Sequence, residues 1–451
     1  MSSLIPENAA IPHKSIVDRA LSLFTTVRPG EGATALLLGL NVFVLLASYY
    51  LLKTIREALI LAEAGAQVKS YASAVQALLL LVAVPVYGLV ASKVNRTKLI
   101  SLVTGFFISN LLLFYVFGKA GFNEGVVFFL WVGIFNNFVV AQFWAFANDL
   151  YTEEQGKRLF PVIGVGTSLG AVLGAWGAKR LFGPLDAYQI MILASAGLVI
   201  YIGLTILINR RESAAPASRQ RELAARPLGG EGGFQLVLRS RYLRMIALLI
   251  LVLNVVNTTG EFLIGDLVLR AAEAEVGAGD DLEGQRKAFV GRFYGDFFFW
   301  VNTASLLIQM FAVSRVFRYI GVRGALFVLP LIALGGYSLL AFYPMLAIVR
   351  GAKILENSTD YSLQNTIRHA LFLPTSREAK YKAKAAVDTF FVRIGDMLQA
   401  GVVAIGSALS FTVTHFAYVN MALVCVWLGL AAALYREHKR ITEAKAEAAP
   451  A

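Results

Sequence analysis

Residues 33 to 60 read ATALLLGLNVFVLLASYYLLKTIREALI, and Lys53 and Arg56 stand just past the middle of this apolar stretch. The run is long enough for a bilayer crossing, which takes about 20 predominantly apolar residues. Lys53 and Arg56 are three residues apart, so on a helix they share a face. Ionisable groups inside a spanning helix are costly and usually face an internal cavity, so the pair suggests a site for an anion crossing a bilayer. A second reading stays open: the helix has already emerged by residue 53, and both side chains snorkel to headgroups. Position alone does not choose between them.

The rest of the chain supports the membrane reading. Of 451 residues, 57% are hydrophobic and only 16% charged, with mean hydropathy +0.65, against about 25% charge in a soluble protein. Apolar runs recur at about 33–60, 70–91, 99–118, 125–148, 160–178, 187–208, 245–268, 293–313, 324–343, 345–367, 386–409 and 412–434. The expected fold is an all-α integral membrane protein of about twelve transmembrane helices. The opening segment carries Glu7, Lys14, Asp18, Arg19 and Arg28 without the short apolar core of a cleavable signal. Cys425 is alone, which excludes an intrachain disulfide framework, and His13, His369, His415 and His438 lack ligand spacing. No metal or cofactor is expected. Nothing in the chain resembles a paired-carboxylate, Ser/His/Asp or Cys/His arrangement, so an enzyme is not expected.

The net charge of +12 is a matter of topology. When the connections are assigned alternately to two sides, most basic residues fall with both chain ends and the segment Arg210 to Arg244. By the positive-inside rule that side is cytoplasmic, and nucleic acid is not expected as a partner. The expected organisation is a cytoplasmic segment 1–32, a six-helix bundle 33–208, a cytoplasmic linker 209–240, a second six-helix bundle 241–435 and a cytoplasmic tail 436–451. The halves echo each other. Ala91-Ser92-Lys93-Val94-Asn95-Arg96 matches Val313-Ser314-Arg315-Val316-Phe317-Arg318 at an offset of 222 residues, which also carries Lys157 and Arg158 to the neighbourhood of Lys380 and Lys382. Repetition of this kind marks transporters whose halves enclose a site near the midplane. Gly166, Gly170 and Gly174 form a small-residue face suited to close helix packing. No strand precedes Gly164 to Gly170 and no GxxxxGK[ST] pattern occurs, so a phosphate loop is a poor reading there.

Several further charged groups fall inside apolar runs. Lys353, Glu356 and Asp360 have helical spacing and alternate in sign; Arg393 and Asp396 are three apart; Glu261 follows Asn257, Thr258 and Thr259. Two roles fit them: internal salt bridges that offset the cost of burial, or pairs that bind an anion and exchange partners as the cavity changes access. Asn136, Asn137, Gln142, Asn302 and Gln309 suit either a polar cavity lining or hydrogen bonds between helices. Phe297 to Trp300 suits either base stacking or contact with lipid.

In this order, several segments resemble the nucleotide transporter family of bacterial and plastidic ATP/ADP translocases, which is distinct from the mitochondrial carriers. The strongest is Lys382-Ala383-Lys384-Ala385-Ala386-Val387-Asp388, similar to the family's KxKGKAAID pattern. With it go Lys53 to Glu57, Phe143 to Asn148 followed by Lys157-Arg158, Ser240 to Arg244, Glu261, Gly295-Asp296-Phe297 and Tyr361-Ser362-Leu363, so that the resemblance spans most of residues 41 to 435. It implies two six-helix bundles of major-facilitator type in a bacterial inner membrane, exchanging ATP for ADP or carrying other nucleotides. It also implies transport roles for Arg56 and Glu261. The chain departs from the pattern at Val132, where the family has Glu, at Asp396, where it has Lys, and at Asp360, where it has a basic residue. The residues expected to bind substrate are therefore Lys53, Arg56, Glu261, Lys353, Glu356, Asp360, Arg393 and Asp396, with Asn136, Asn137, Gln142 and Asn302 as polar lining. Lys382, Lys384 and Asp388 are expected at a cytoplasmic mouth or gate. The expected partners are a nucleotide or other small anion and membrane lipid, with oligomeric state open. Two alternatives remain, a transporter of another organic anion or a proton-coupled solute, and a non-transporting membrane receptor or scaffold.

Overall fold

A computed structural model describes residues 15–22, 26–91, 96–151, 153–212, 233–276, 281–376 and 379–447. Among these the chain is almost entirely helical, as its apolar runs require, because a helix satisfies every backbone polar group internally. The first long helix, Glu31–Ala91, folds back at Gly65, whose φ of 83° only glycine adopts readily. It is followed by Arg96–Lys119, Gly125–Phe135 continued through Ala141–Leu150, Glu153–Leu181 and Ala187–Glu212. The second half holds Arg241–Glu275, Leu282–Leu307 continued through Val313–Ala325, Val328–Phe342, Leu346–Thr359 continued through Asn365–Leu371, Lys384–Ala386 continued through Val392–Ala408, and Val413–Glu447. Among the described residues nine helices are long and apolar enough to cross a bilayer, against the twelve runs read from sequence. The difference arises because the first two runs share one broken helix, the ninth forms a helix of only 15 residues, Val328–Phe342, and the tenth carries too many charges.

Close packing follows small residues. A Cβ added at Gly166, Gly170 or Gly174 would lie 2.1–2.6 Å from the carbonyl oxygens of Gly39, Phe43 and Ala47, so this face seats the helix Glu153–Leu181 directly on the first helix. At one end of the bundle the halves also meet backbone to side chain. There a Cβ at Gly295 would strike the Lys179 backbone, and one at Gly291 the Phe182 ring.

The expected boundaries shift in detail. The helix Ala187–Glu212 runs into the proposed linker and the short helix Gly233–Arg239 occupies its end, with 213–232 outside the described residues. The proposed tail from 436 is instead the continuation of Val413–Glu447, whose Glu437–Arg440 and Lys439–Glu443 pairs have the spacing that supports helix. Residues 1–14 lie outside the described residues. Just after them Asp18 is fixed against the start of the first helix by the N–H groups of Gly30 and Gly32 (3.1 and 2.9 Å), and these bonds, the Gly30 one foremost, hold its carboxyl down at about 2.

A charged cavity between the two halves

Near the middle of the bundle the halves enclose a cavity of about 220 Å³. The first half contributes Lys53, Arg56, Glu57, Lys69 and Phe129; the second contributes Asn257, Glu261, Phe298, Asn357, Tyr361, Arg393, Asp396 and Gln399. The basic pair of the first apolar run therefore faces an internal space, and the snorkelling reading falls.

Each cation here has its own surroundings. Lys53 Nζ sits over three rings, 4.2 Å from the centroid of Phe298, 5.2 Å from Tyr50 and 5.8 Å from Tyr361. The Tyr50 hydroxyl donates to Asn302 Oδ1 (2.8 Å), and Asn302 Nδ2 donates to the Phe298 carbonyl (2.7 Å), so one amide braces two members of this cage. Arg56 donates Nε (3.0 Å) and Nη2 (2.5 Å) to Glu57 and lies over Phe129. Lys69, four residues beyond the break at Gly65, reaches the other Glu57 oxygen at 2.6 Å. One carboxylate thus serves two cations, all three being largely withdrawn from solvent.

The second-half wall is arranged differently. Arg393 pairs with Asp396 (2.9 Å), whose other oxygen accepts from Asn254 Nδ2 (2.8 Å). Glu261 accepts from Asn357 Nδ2 (2.8 Å) and lies 3.7 Å from Lys353. Lys353 is 1% exposed and stands behind the wall, bonded to Asn257 Oδ1 (2.5 Å) and paired with Glu356 (3.2 Å), which also accepts from the Tyr337 hydroxyl.

Of the expected binding residues, the structure brings Lys53, Arg56, Glu261, Arg393 and Asp396 onto one cavity. Lys353, Glu356 and Asp360 do not line it. The cavity stripe of their helix is Asn357 and Tyr361, rotated from the stripe the charges suggested, and Asp360 instead pairs with Arg368 across a π turn, Asp360–Gln364. Asn136, Asn137, Gln142 and Asn302 also lie off the lining. Asn136 opens a second π turn, and Asn137 bonds back to the Gly133 carbonyl. The amides of Gln142 and of Gln364, related by the same 222-residue offset, are buried without hydrogen-bond partners. Lys384 and Asp388 pair with each other near the start of the helix that carries Arg393, with Lys382 in the preceding π turn, and none of the three lines the cavity. Sequence reasoning missed Lys69, Asn254 and Gln399, and it quoted Glu57, Asn257 and Tyr361 without assigning them a place in the site. Lys69 follows an Ala-Gly-Ala break, and the turn that folds it back beside Arg56 is the signal that would have found it.

On the side of the bundle away from residues 212 and 233, side-chain contacts join the halves. Glu63 pairs with Lys287 (2.7 Å) and accepts the Gly125 N–H (2.6 Å); Lys179 pairs with Asp296 (2.5 Å), which also holds Arg350; Gln399 donates to Ser70 (3.2 Å). Just outside the helix that begins at Gly125, Glu124 has its carboxyl pushed up to about 7 by burial and by nearby Glu63, with Lys287 working against them.

The sequence pattern of the TLC ATP/ADP transporter family matches residues 125–263 and 300–438. The chain is 24% identical over 333 residues to ADP,ATP carrier protein 1 of Chlamydia pneumoniae, covering 63% of this chain and 62% of that one. It is 22% identical over 349 residues to the chloroplastic ADP,ATP carrier protein 2 of Arabidopsis thaliana, covering 68% and 54%. It spans about three-fifths of the length of the curated relatives it matches. In fold it is similar to the crystal structure of the nucleoside transporter NupG (TM-score 0.61, 12% identity, 89% of this chain and 98% of that one). It is similar likewise to a POT family transporter in complex with 5-aminolevulinic acid (TM-score 0.61, 13% identity, 90% and 96%). These likenesses place the fold among transporters of the major-facilitator type.

Proposed function

Because this chain belongs to the TLC ATP/ADP transporter family, we propose that it carries a nucleotide or related phosphorylated anion across a membrane by alternating access, as an exchanger. The observation that carries this reading is the cavity between the halves, where Lys53, Arg56 and Lys69 face one space with a single carboxylate among them on their own wall. Cations lining a pre-formed internal site offer a phosphate group charge-assisted contacts in place of its hydration. Lys53 and Arg56 attract the anion. Glu261 compensates charge or gates, and the ion pairs at the far end hold that end closed while solute enters from the other. The concentration of basic residues at the end bearing the linker supports a bacterial inner membrane with both chain ends in the cytoplasm.

The test is flux. Purified protein in liposomes loaded with unlabelled nucleotide should take up labelled nucleotide faster than in empty liposomes. Absence of any nucleotide binding or flux overturns the proposal. A second reading, transport of another organic anion, draws on Glu261 and Asp396, whose carboxylates on the same cavity work against a highly charged solute.

A further inference from the structure

The charges around the cavity limit what it can hold. The first-half wall presents three cations and one carboxylate; the second presents one cation and two carboxylates. Lys353 and Glu356, directly behind, cancel each other. The cavity therefore carries one cation more than it has carboxylates, and Arg393 is taken up by Asp396 at 2.9 Å. The cations with capacity to spare are Lys53, held by rings alone, and the Arg56–Lys69 pair that shares Glu57. At about 220 Å³ the space is also below the roughly 300 Å³ at which pockets for drug-sized ligands begin.

Resting on the reading of a phosphorylated solute, we infer that the preferred substrate is a phosphate monoester carrying one or two negative charges, its phosphate between Lys53 and Arg56, and that Asp396 and Glu261 exclude more highly charged phosphates. A triphosphate brings up to four negative charges to a site with an excess of one cation. Across a cavity of this width each uncompensated charge repels it in a low-dielectric surround. The carboxylates of the second wall thus set the valence, while the amides of Asn257, Asn357 and Gln399 beside them offer hydrogen bonds to the polar body of the ester.

Binding of adenosine, AMP, ADP and ATP to the purified protein, measured by thermal shift and by displacement at constant ionic strength, tests this. AMP is expected to bind at least about tenfold more tightly than ATP, and adenosine more weakly than AMP. Asp396→Asn removes one negative charge and keeps the shape that Asn254 holds, so it should shift the ATP-to-AMP affinity ratio about tenfold toward ATP. Glu261→Gln should shift the ratio the same way and serves if the first variant does not fold. The double variant Arg393→Gln with Asp396→Asn leaves the net charge unchanged and should leave the ratio unchanged. Wild-type protein that binds ATP more tightly than AMP overturns the inference while keeping the nucleotide reading. So does a ratio that neither single variant moves. Failure of all three phosphate esters to bind overturns both.

Discussion

The two walls of the cavity treat the same problem, a charge inside a membrane, in opposite ways. On the second-half wall Arg393 has Asp396, while Glu261 accepts from the Asn357 amide and lies 3.7 Å from Lys353, which stands behind the wall paired with Glu356. On the first-half wall Lys53 is held by aromatic faces, and Arg56 and Lys69 divide one carboxylate. Pairing limits the cost of burial on both walls, but the first, with three cations to one carboxylate, keeps a positive potential facing the cavity, and the second, with two carboxylates to one cation, does not. In the proposed transport reading the first wall is the one that attracts, and the second the one that selects.

The sharpest way to break this contrast is to remove the unmatched charge. Lys53→Gln together with Arg56→Gln leaves no carboxylate orphaned, because Glu57 keeps Lys69 at 2.6 Å. Uptake of labelled nucleotide should fall about 100-fold, as expected for losing two charge-assisted contacts. Thermal stability should change little. Uptake within about threefold of wild type would place the attracting charge elsewhere.

Next come two identical substitutions on opposite walls. Glu57→Gln leaves Arg56 and Lys69 without their shared anion and should destabilise by about 3 kcal/mol, the scale for breaking a buried pair from one side. Glu261→Gln should cost under about 1 kcal/mol. Its neighbour Lys353 keeps Glu356 at 3.2 Å and the Asn257 amide oxygen at 2.5 Å. Equal losses, measured by thermal or denaturant unfolding in detergent, would erase the distinction between the walls.

What made the two walls hard to tell apart in the sequence is instructive. The class of fold was legible because apolar runs of spanning length leave a chain few choices, and the repeat at 222 residues announced two halves. Lys53 and Arg56 stood out because a charge in such a run needs a reason. Glu57 looked like an ordinary neighbour, since adjacency along a helix does not put side chains on one face. Its role depends on Lys69, which is brought back only by the reversal at Gly65. In the second half the alternating charges of Lys353, Glu356 and Asp360 advertised a binding face, yet the helix turns Asn357 and Tyr361 to the cavity and uses two of those charges as a brace behind it. Alternating charges say which residues share a face, not which face the bundle turns inward, and the π turn that begins at Asp360 leaves no mark in residue spacing.

The smallest effect lies at the closed end, where the contrast between the walls gives way to contact between them. Glu63 joins the halves through Lys287 and also accepts the Gly125 N–H, and Glu124 lies beside it with a carboxyl raised to about 7. An acid whose folded pKa is raised contributes its stability fully below its ordinary value near 4.5, and loses it as pH climbs through about 7. Above that point the charge on Glu124 adds to that of nearby Glu63 with Lys287 opposing, and the contact between the halves weakens. Melting temperature should therefore decline by a few degrees between pH 6 and pH 8. Glu124→Gln, which stays neutral throughout, should flatten that slope while retaining the Glu63–Lys287 pair. The melting curves should also separate the two carboxylates. Glu63→Gln removes the pair itself, so it should lower the melting temperature at both pH values and lessen the slope, because Glu124 then titrates without its anionic neighbour. A wild-type slope that persists in Glu124→Gln would assign the pH response to another group and leave the closing contact indifferent to protons.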